Sequence, residues 1–117
     1  MPPVDQKNWN QIYTALAREE RRELLRYLQH MQKAQLEDVA QHLLEWEHGS
    51  TEEDFSAIRL GLYHMHLPKL AEAGLLTWDS QQNQITLTTL GTQLPAEFIS
   101  PILVPSINGG NRGAIVD

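Results

Sequence analysis

The sequence predicts a mainly α-helical domain with one small β-hairpin, an α+β fold, on three observations. Apolar residues recur every three or four positions in four successive segments, which places them on one face of a helix. After Gly74 the apolar period changes to two, which is typical of half-buried strands. The length of 117 residues suits one domain.

The first three helices are predicted from their apolar stripes. The first helix carries Trp9, Ile12, Tyr13 and Leu16 on one face. The second is predicted over residues 18–31, with Leu24, Tyr27, Leu28 and Met31 buried. Its solvent side holds Arg18, Glu19, Arg22, Glu23 and Arg26. The third covers residues 36–46 and ends at His48-Gly49, where we expect the glycine to take the left-handed conformation.

The fourth helix has a clear start and an interruption. Ser50 and Glu53 have the spacing of a capping box, and the helical pattern then continues to Ala73 and ends at Gly74. Pro68 lies inside this pattern, where it removes one backbone hydrogen bond and clashes with the carbonyl of His64. The sequence therefore predicts either a bend or a break into two shorter helices.

A hairpin and a short helix follow. The strands are predicted near residues 76–78 and 85–87, joined by the polar turn at residues 80–84. Thr88 is expected to cap a short helix with Leu90 and Leu94 facing inward. We place the domain at residues 1–94 and a C-terminal tail at residues 95–117, which contains the apolar stretch 98–104 and a Gly-rich end.

This order of elements is that of a winged helix-turn-helix, and two motifs resemble that fold. Residues 66–75 are HLPKLAEAGL, similar to the end of a recognition helix as it enters the wing. Residues 88–91 are TTLG, which resembles the Leu-Thr-x-x-Gly motif that often follows the second strand of the wing. Residues 21–28 (RRELLRYL), 36–40 (LEDVA) and 62–70 (LYHMHLPKL) narrow the resemblance to an uncharacterised winged-helix family found mainly in halophilic archaea. The resemblance covers residues 9–88 and implies a role in transcription, without identifying contact residues.

The candidate DNA-binding residues lie on two helices. On the recognition helix, around residues 55–73, they are Arg59, His64, His66 and Lys69, which can bond to base edges or phosphates. On the second helix Arg18, Arg22 and Arg26 are four residues apart and could contact phosphates. Two alternatives remain open: a solvent-exposed face of Glu19–Arg22 and Glu23–Arg26 pairs, and structural histidines.

Charge limits the strength of any nucleic-acid contact. The chain has 9 Lys and Arg against 15 Asp and Glu, a net charge of −6, which argues against indiscriminate binding to nucleic acid. Residues 18–33 hold five basic and three acidic side chains, however, and are net +2. We therefore expect weak, strongly salt-dependent DNA binding that relies on dimerisation.

Several other classes of protein are disfavoured. With no cysteine there is no disulfide or thiolate site, and neither a catalytic triad nor a phosphate-binding glycine loop is found, so we expect no enzyme activity and no cofactor. His64 and His66 fall on opposite faces of a helix, so no metal site is expected. No apolar run is long enough for a membrane span and residues 1–7 do not begin a secretory signal, which favours the cytoplasm.

Two functional hypotheses follow. The first is a homodimeric DNA-binding transcriptional regulator that inserts the fourth helix into the major groove. The alternative is a winged-helix protein-interaction module without DNA binding, which would use residues 98–104 and an exposed apolar stripe of the fourth helix. That helix has two such stripes: Phe55, Ile58, Leu62 and Met65 in one, and Leu60, Tyr63, Leu67 and Leu70 in the other.

Overall fold

The computed structural model describes the backbone of residues 4–100 and the side chains of residues 9–100. The helices are α1 (Val4–Ala15), α2 (Glu19–Met31), α3 (Leu36–Trp46), α4 (Glu52–Gly61), α5 (Leu67–Glu72) and α6 (Thr89–Gln93). Between α4 and α5 lies a π-helical stretch, Leu62–His66, called the π segment below. The strands are β1 (Lys33–Gln35), β2 (Leu76–Asp79) and β3 (Gln84–Leu87), and a 3-10 turn covers Ala96–Ile99.

The three strands form one antiparallel sheet in the order β1-β3-β2. The predicted hairpin is confirmed: Trp78 on β2 pairs with Ile85 on β3. Strand β1 was not predicted, because three residues are too few to show an alternating pattern; it adds Ala34 opposite Ile85 on the other side of β3. The element order is that of a winged helix-turn-helix, so the predicted fold class is confirmed.

The core lies between the helices and the inner face of the sheet. Fully buried leucines and an isoleucine come from α2, α3, α5, the π segment and β3; they include Leu24, Leu28, Leu36, Leu62, Leu70 and Ile85. The second and third helices fall close to their predicted bounds because their apolar stripes are long and regular. Met31, however, is 51% exposed and does not belong to the core.

The helix α4, the π segment and α5 together form one continuous helix, called the long helix, and the π segment lets it accommodate Pro68. The amide of Leu67 donates to the carbonyl of Leu62, five residues back, so this turn is one residue wider than an α-helical turn. Pro68 then lies in the first turn of α5, where a missing N–H costs little. The backbone stays helical at Gly61, Leu62, His66 and Leu67, so the helix is not broken.

The wider turn also changes which residues share a face. Leu60 is 60% exposed and Tyr63 39% exposed, whereas Leu67 and Leu70 are fully buried. The prediction that these four form one stripe is wrong, because the π segment inserts an additional residue between the first pair and the second.

Local details at the start of α4 differ by one residue from the prediction. The capping box is Thr51 and Asp54 rather than Ser50 and Glu53. The Thr51 side chain accepts from the Asp54 amide at 2.9 Å, and Asp54 Oδ2 accepts from the Thr51 amide at 3.3 Å. The left-handed residue after α3 is His48, with φ 62°, and not Gly49. A Cβ at Gly49 would lie 2.6 Å from Leu44 Cδ1, so a larger residue there would require the end of the Leu44 side chain to shift.

The outer side of α1 carries an aromatic cluster. Ile12 and Leu16 are buried, but Tyr13 is 59% exposed and Trp9 36% exposed, so the predicted four-residue stripe faces the core only in part. Phe98 packs against both aromatic rings, at centroid distances of 6.0 Å from Trp9 and 6.5 Å from Tyr13. Ile99 reaches the core from the 3-10 turn, so the fold continues past residue 94. Residues 101–117, with the rest of the apolar stretch, lie outside the described residues.

Candidate nucleic-acid interface

The outer face of α4 combines polar and apolar side chains beside the wing. Arg59 is half-exposed and pairs with Glu37 of α3, with Nε and Nη2 at 2.9 Å and 2.8 Å from Glu37 Oε2. Arg59 borders a shallow depression of about 380 Å³ with Ser56, Leu60 and Tyr63. His64 is exposed and meets the Tyr63 ring edge-on at 5.1 Å. This face is accessible to a macromolecule.

The wing is held against this helix by an aromatic contact. The rings of Tyr63 and Trp78 meet edge-to-face at 4.9 Å. Trp78 Nε1 is buried without a hydrogen-bond partner among the described residues. At the tip of the wing Asp79 Oδ1 accepts from the amides of Gln81 and Gln82 at 3.0 Å and 3.3 Å, which fixes the turn. The exposed tip at residues 80–82 therefore offers hydroxyl and amide groups and no positive charge.

Lys69 lies away from Arg59. It is exposed on α5 and borders a depression of about 270 Å³ with Asn10, Gln11 and Thr14 of α1 and with Glu72. Arg59 lies on α4 and Lys69 on α5, which the π segment joins into one continuous helix, but α1 packs against the side of α5 next to Lys69. The two positive charges therefore do not form one cluster.

His66, predicted as a DNA contact, lies inside the protein and not on its surface. The residue is 7% exposed, and its Nδ1 lies 3.5 Å from Arg21 Nη1. Burial lowers the pKa of His66, and the positive charge of Arg21 lowers it further. The wider π turn directs this side chain towards α2, whereas His64, two residues earlier, stays exposed as the opposite-face prediction required.

Arg22 and Arg26, predicted as phosphate contacts, both bond to backbone carbonyls of this chain. Arg22 is 4% exposed and donates to the carbonyls of Leu16 at 2.6 Å and Ser100 at 3.2 Å. Arg26 donates to the carbonyl of Ile99 and to the carboxylate of Glu23. The alternative of a solvent-exposed charged face holds only in part, because Glu19 is exposed whereas Arg22 and Glu23 are buried. The predicted ion pairs Glu19–Arg22 and Glu23–Arg26 are present.

The arginines of α2 donate hydrogen bonds to backbone carbonyls at the ends of α1 and of the 3-10 turn. The last carbonyls of a helix have no partner within it, and guanidinium groups are well suited to bind them. Arg21, which was not among the predicted site residues, donates to the carbonyls of Ala15 at 2.5 Å and Thr14 at 3.4 Å. Together with Arg22 it closes the C-terminal end of α1. Two adjacent arginines a few residues after a helix end were the available signal.

Arg18 remains accessible. It precedes α2, its side chain is 48% exposed, and it pairs with Glu20 at 3.3 Å. Its Nη1 lies 3.7 Å from Met65 Sδ in the π segment. Of the seven predicted residues, the structure leaves Arg18, Arg59, His64 and Lys69 on the surface.

We expect the free energy of unfolding to fall as the pH is lowered from about 7.5 to about 5.5. Folding holds His66 neutral because its pKa is lowered by burial, while the same side chain in the unfolded chain takes up a proton in this range. The contribution of His66 to the free energy of unfolding is therefore fully present above the pKa that His66 has in the unfolded chain. It is lost as the pH falls towards the lower pKa that His66 has in the folded protein. Urea denaturation at several pH values measures this.

The control is His66→Gln, which cannot titrate. The pKa of His42 is also lowered by burial and contributes in the same direction, but it is present in both proteins. The pH dependence of the variant should be shallower than that of the wild type. Parallel curves for the two proteins would contradict the expectation.

Comparison of the sequence with models of protein families shows which family this chain belongs to. The model of the family described as Domain of unknown function (DUF7344) matches residues 13–86, from the last turn of α1 to β3. The chain belongs to the DUF7344 family. All seven candidate residues lie within the segment that the DUF7344 model matches. No curated protein and no solved structure shows a significant match.

Two further properties concern the part of the chain that the structure describes. Within residues 4–100 no helix has the length and apolar character needed to cross a membrane. Across the described side chains, no group of three or more His, Asp or Glu residues could hold a metal ion.

Proposed function

We propose that this protein binds double-stranded DNA as a homodimer and regulates transcription in the cytoplasm. The observation that carries the proposal is the exposed outer face of α4 beside a two-stranded wing, the arrangement with which winged-helix proteins enter a major groove. A single copy offers one such helix, so a palindromic site requires two copies about 34 Å apart.

Arg59 is the residue best placed to contact DNA. Its pair with Glu37 is a surface ion pair, with 39% and 50% of the two side chains exposed. Such pairs contribute about 1 kcal/mol or less, so a phosphate or guanine can replace the carboxylate at small cost. Lys69 on α5 and Arg18, which lies beside Met65 of the π segment, add phosphate contacts.

We expect the double variant Arg59→Ala, Lys69→Ala to bind DNA about tenfold more weakly or worse. The slope of the logarithm of the association constant against the logarithm of the salt concentration should become shallower by about two. The reason is the loss of two phosphate-neutralising charges. Fluorescence anisotropy with a labelled duplex, at several salt concentrations, measures both quantities. Lys33→Ala on strand β1 removes one charge elsewhere and should change little.

The proposal fails if micromolar wild-type protein does not shift a duplex at low salt. It also fails if the double variant binds with the affinity and salt dependence of the wild type. Sedimentation of the free protein and of the complex gives the number of copies on the duplex.

One observation favours a second function, the binding of a protein partner. Leu60, Tyr63 and Met65 are 60%, 39% and 42% exposed on the long helix, which is a large apolar area for a helix that reads DNA. If no duplex is bound, Leu60→Ser is the variant to use in partner-binding assays, since it removes apolar surface without removing charge.

A further inference from the structure

A cavity of about 210 Å³ lies where α2, α3, α4 and the π segment meet. Its apolar wall consists of Leu43, Ala57 and Ile58. Its ionisable groups are Glu20 on α2, Glu47 directly after α3, and His66 in the π segment. The cavity is distinct from the outer face of α4, and a ligand could occupy it whether or not DNA is bound.

The carboxylates make one side of the cavity negative. Glu20 is paired with Arg18, but Glu47 forms no ion pair with any described residue. Burial raises the pKa of Glu47, and the negative charges of Glu20 and Asp54 raise it further. Glu47 is thus an accessible carboxylate with which a cation in the cavity could pair, next to the Glu20–Arg18 pair.

The imidazole of His66 supplies a hydrogen-bond donor on the other side. A guanidinium has only donors, so the contact between Arg21 Nη1 and His66 Nδ1 requires Nδ1 to accept and places the proton on Nε2. The side chain is buried, with 7% of the residue exposed, and within residues 9–100 Nε2 has no hydrogen-bond partner. It lies in the wall of the cavity with its N–H available.

Gly61 keeps the cavity open next to this donor. A Cβ at this position would lie 3.8 Å from His66 Cδ2 and Nε2, which is ordinary contact, so packing alone does not require glycine. Glycine is also unfavourable in a helix. Its effect here is to leave space in front of the imidazole.

We propose that this cavity binds a small protonated amine that carries a neutral oxygen acceptor, such as an amino alcohol. The ammonium group lies between the carboxylates of Glu20 and Glu47, the aliphatic part contacts Leu43 and Ile58, and the oxygen accepts from His66 Nε2. The three features match the negative side, the apolar wall and the single donor of the cavity.

The test is a titration of the protein with aminobutanol, followed by amide chemical shifts in NMR spectra. We expect saturable shifts at Gly61 and His66, with a dissociation constant on the order of 1 mM. Butylamine lacks the oxygen and butanediol lacks the charge, and each should bind about tenfold more weakly. Equal binding of butanediol and aminobutanol would overturn the proposal.

Variants separate binding from folding. Glu47→Gln should weaken binding about tenfold, while the matched control Glu45→Gln, on the exposed side of α3 next to Gln41, should not. Gly61→Ala should abolish binding by filling the space beside His66 and should melt at a temperature at least as high as that of the wild type. Wild-type affinity in Glu47→Gln or in Gly61→Ala would refute the proposed site.

Discussion

Replacing Gly91 by alanine is expected to lower the free energy of unfolding by about 3 kcal/mol or more, the largest effect predicted for this protein. A Cβ at this position would lie 2.2 Å from the carbonyl oxygen of Leu75 and 2.6 Å from Leu87 Cδ1. The Leu75 carbonyl cannot move freely, because it accepts from the Thr88 amide at 3.1 Å. Gly91 thus fixes the approach of α6 to the base of the wing.

Urea denaturation compares Gly91→Ala with Gly61→Ala, the same substitution in another helix. The alanine at position 61 meets no atom closer than 3.8 Å and should raise stability by about 0.5–1 kcal/mol. The outcome that contradicts this argument is a Gly91→Ala protein with wild-type stability.

Replacing Arg22 by methionine is expected to lower the free energy of unfolding by about 2–3 kcal/mol. Methionine keeps most of the apolar volume but removes the donors to the carbonyls of Leu16 and Ser100. The side chain is only 5% exposed, so water cannot easily replace those bonds. The junction of α1, α2 and the 3-10 turn would lose its main polar contact.

The matched control is Arg59→Met, which removes a half-exposed guanidinium and should change stability by less than about 1 kcal/mol. Thermal unfolding of both variants gives the comparison. If Arg22→Met left stability unchanged and only reduced DNA affinity, the sequence-based interpretation of Arg22 as a phosphate contact would be correct.

The fold could be predicted from the regular spacing of apolar residues along the sequence. The stripes of α2 and α3 and the alternation in β2 and β3 each repeat over several turns or residues, so their bounds could be predicted within a few residues. The stop at Gly74, which has φ 79°, and the cap at Thr88, whose hydroxyl accepts from the Gly91 amide at 3.0 Å, were local and also predictable. Strand β1 was missed because its partner is distant in sequence.

The candidate DNA-binding residues were harder to predict, because their exposure depends on which charged side chains form hydrogen bonds or ion pairs within the protein. Arg18, Arg22 and Arg26 have the same spacing, yet Arg18 is exposed while Arg22 lies against carbonyls of α1 and of Ser100. No sequence pattern indicates that residue 100 returns to α2. His66 is comparable, since one extra residue in the π turn decides whether it faces solvent or Arg21.

The sequence by itself determined the helices, the hairpin and their order, because these follow from short-range periodicity and from caps within a few residues. Only the tertiary structure decided which face of the long helix is exposed, which arginines remain available for a ligand, and where a cavity opens beside His66. Those properties arise from contacts between residues 6 to 78 positions apart, such as Arg21 with Ala15 and Arg22 with Ser100, and from the phase shift of a single π turn.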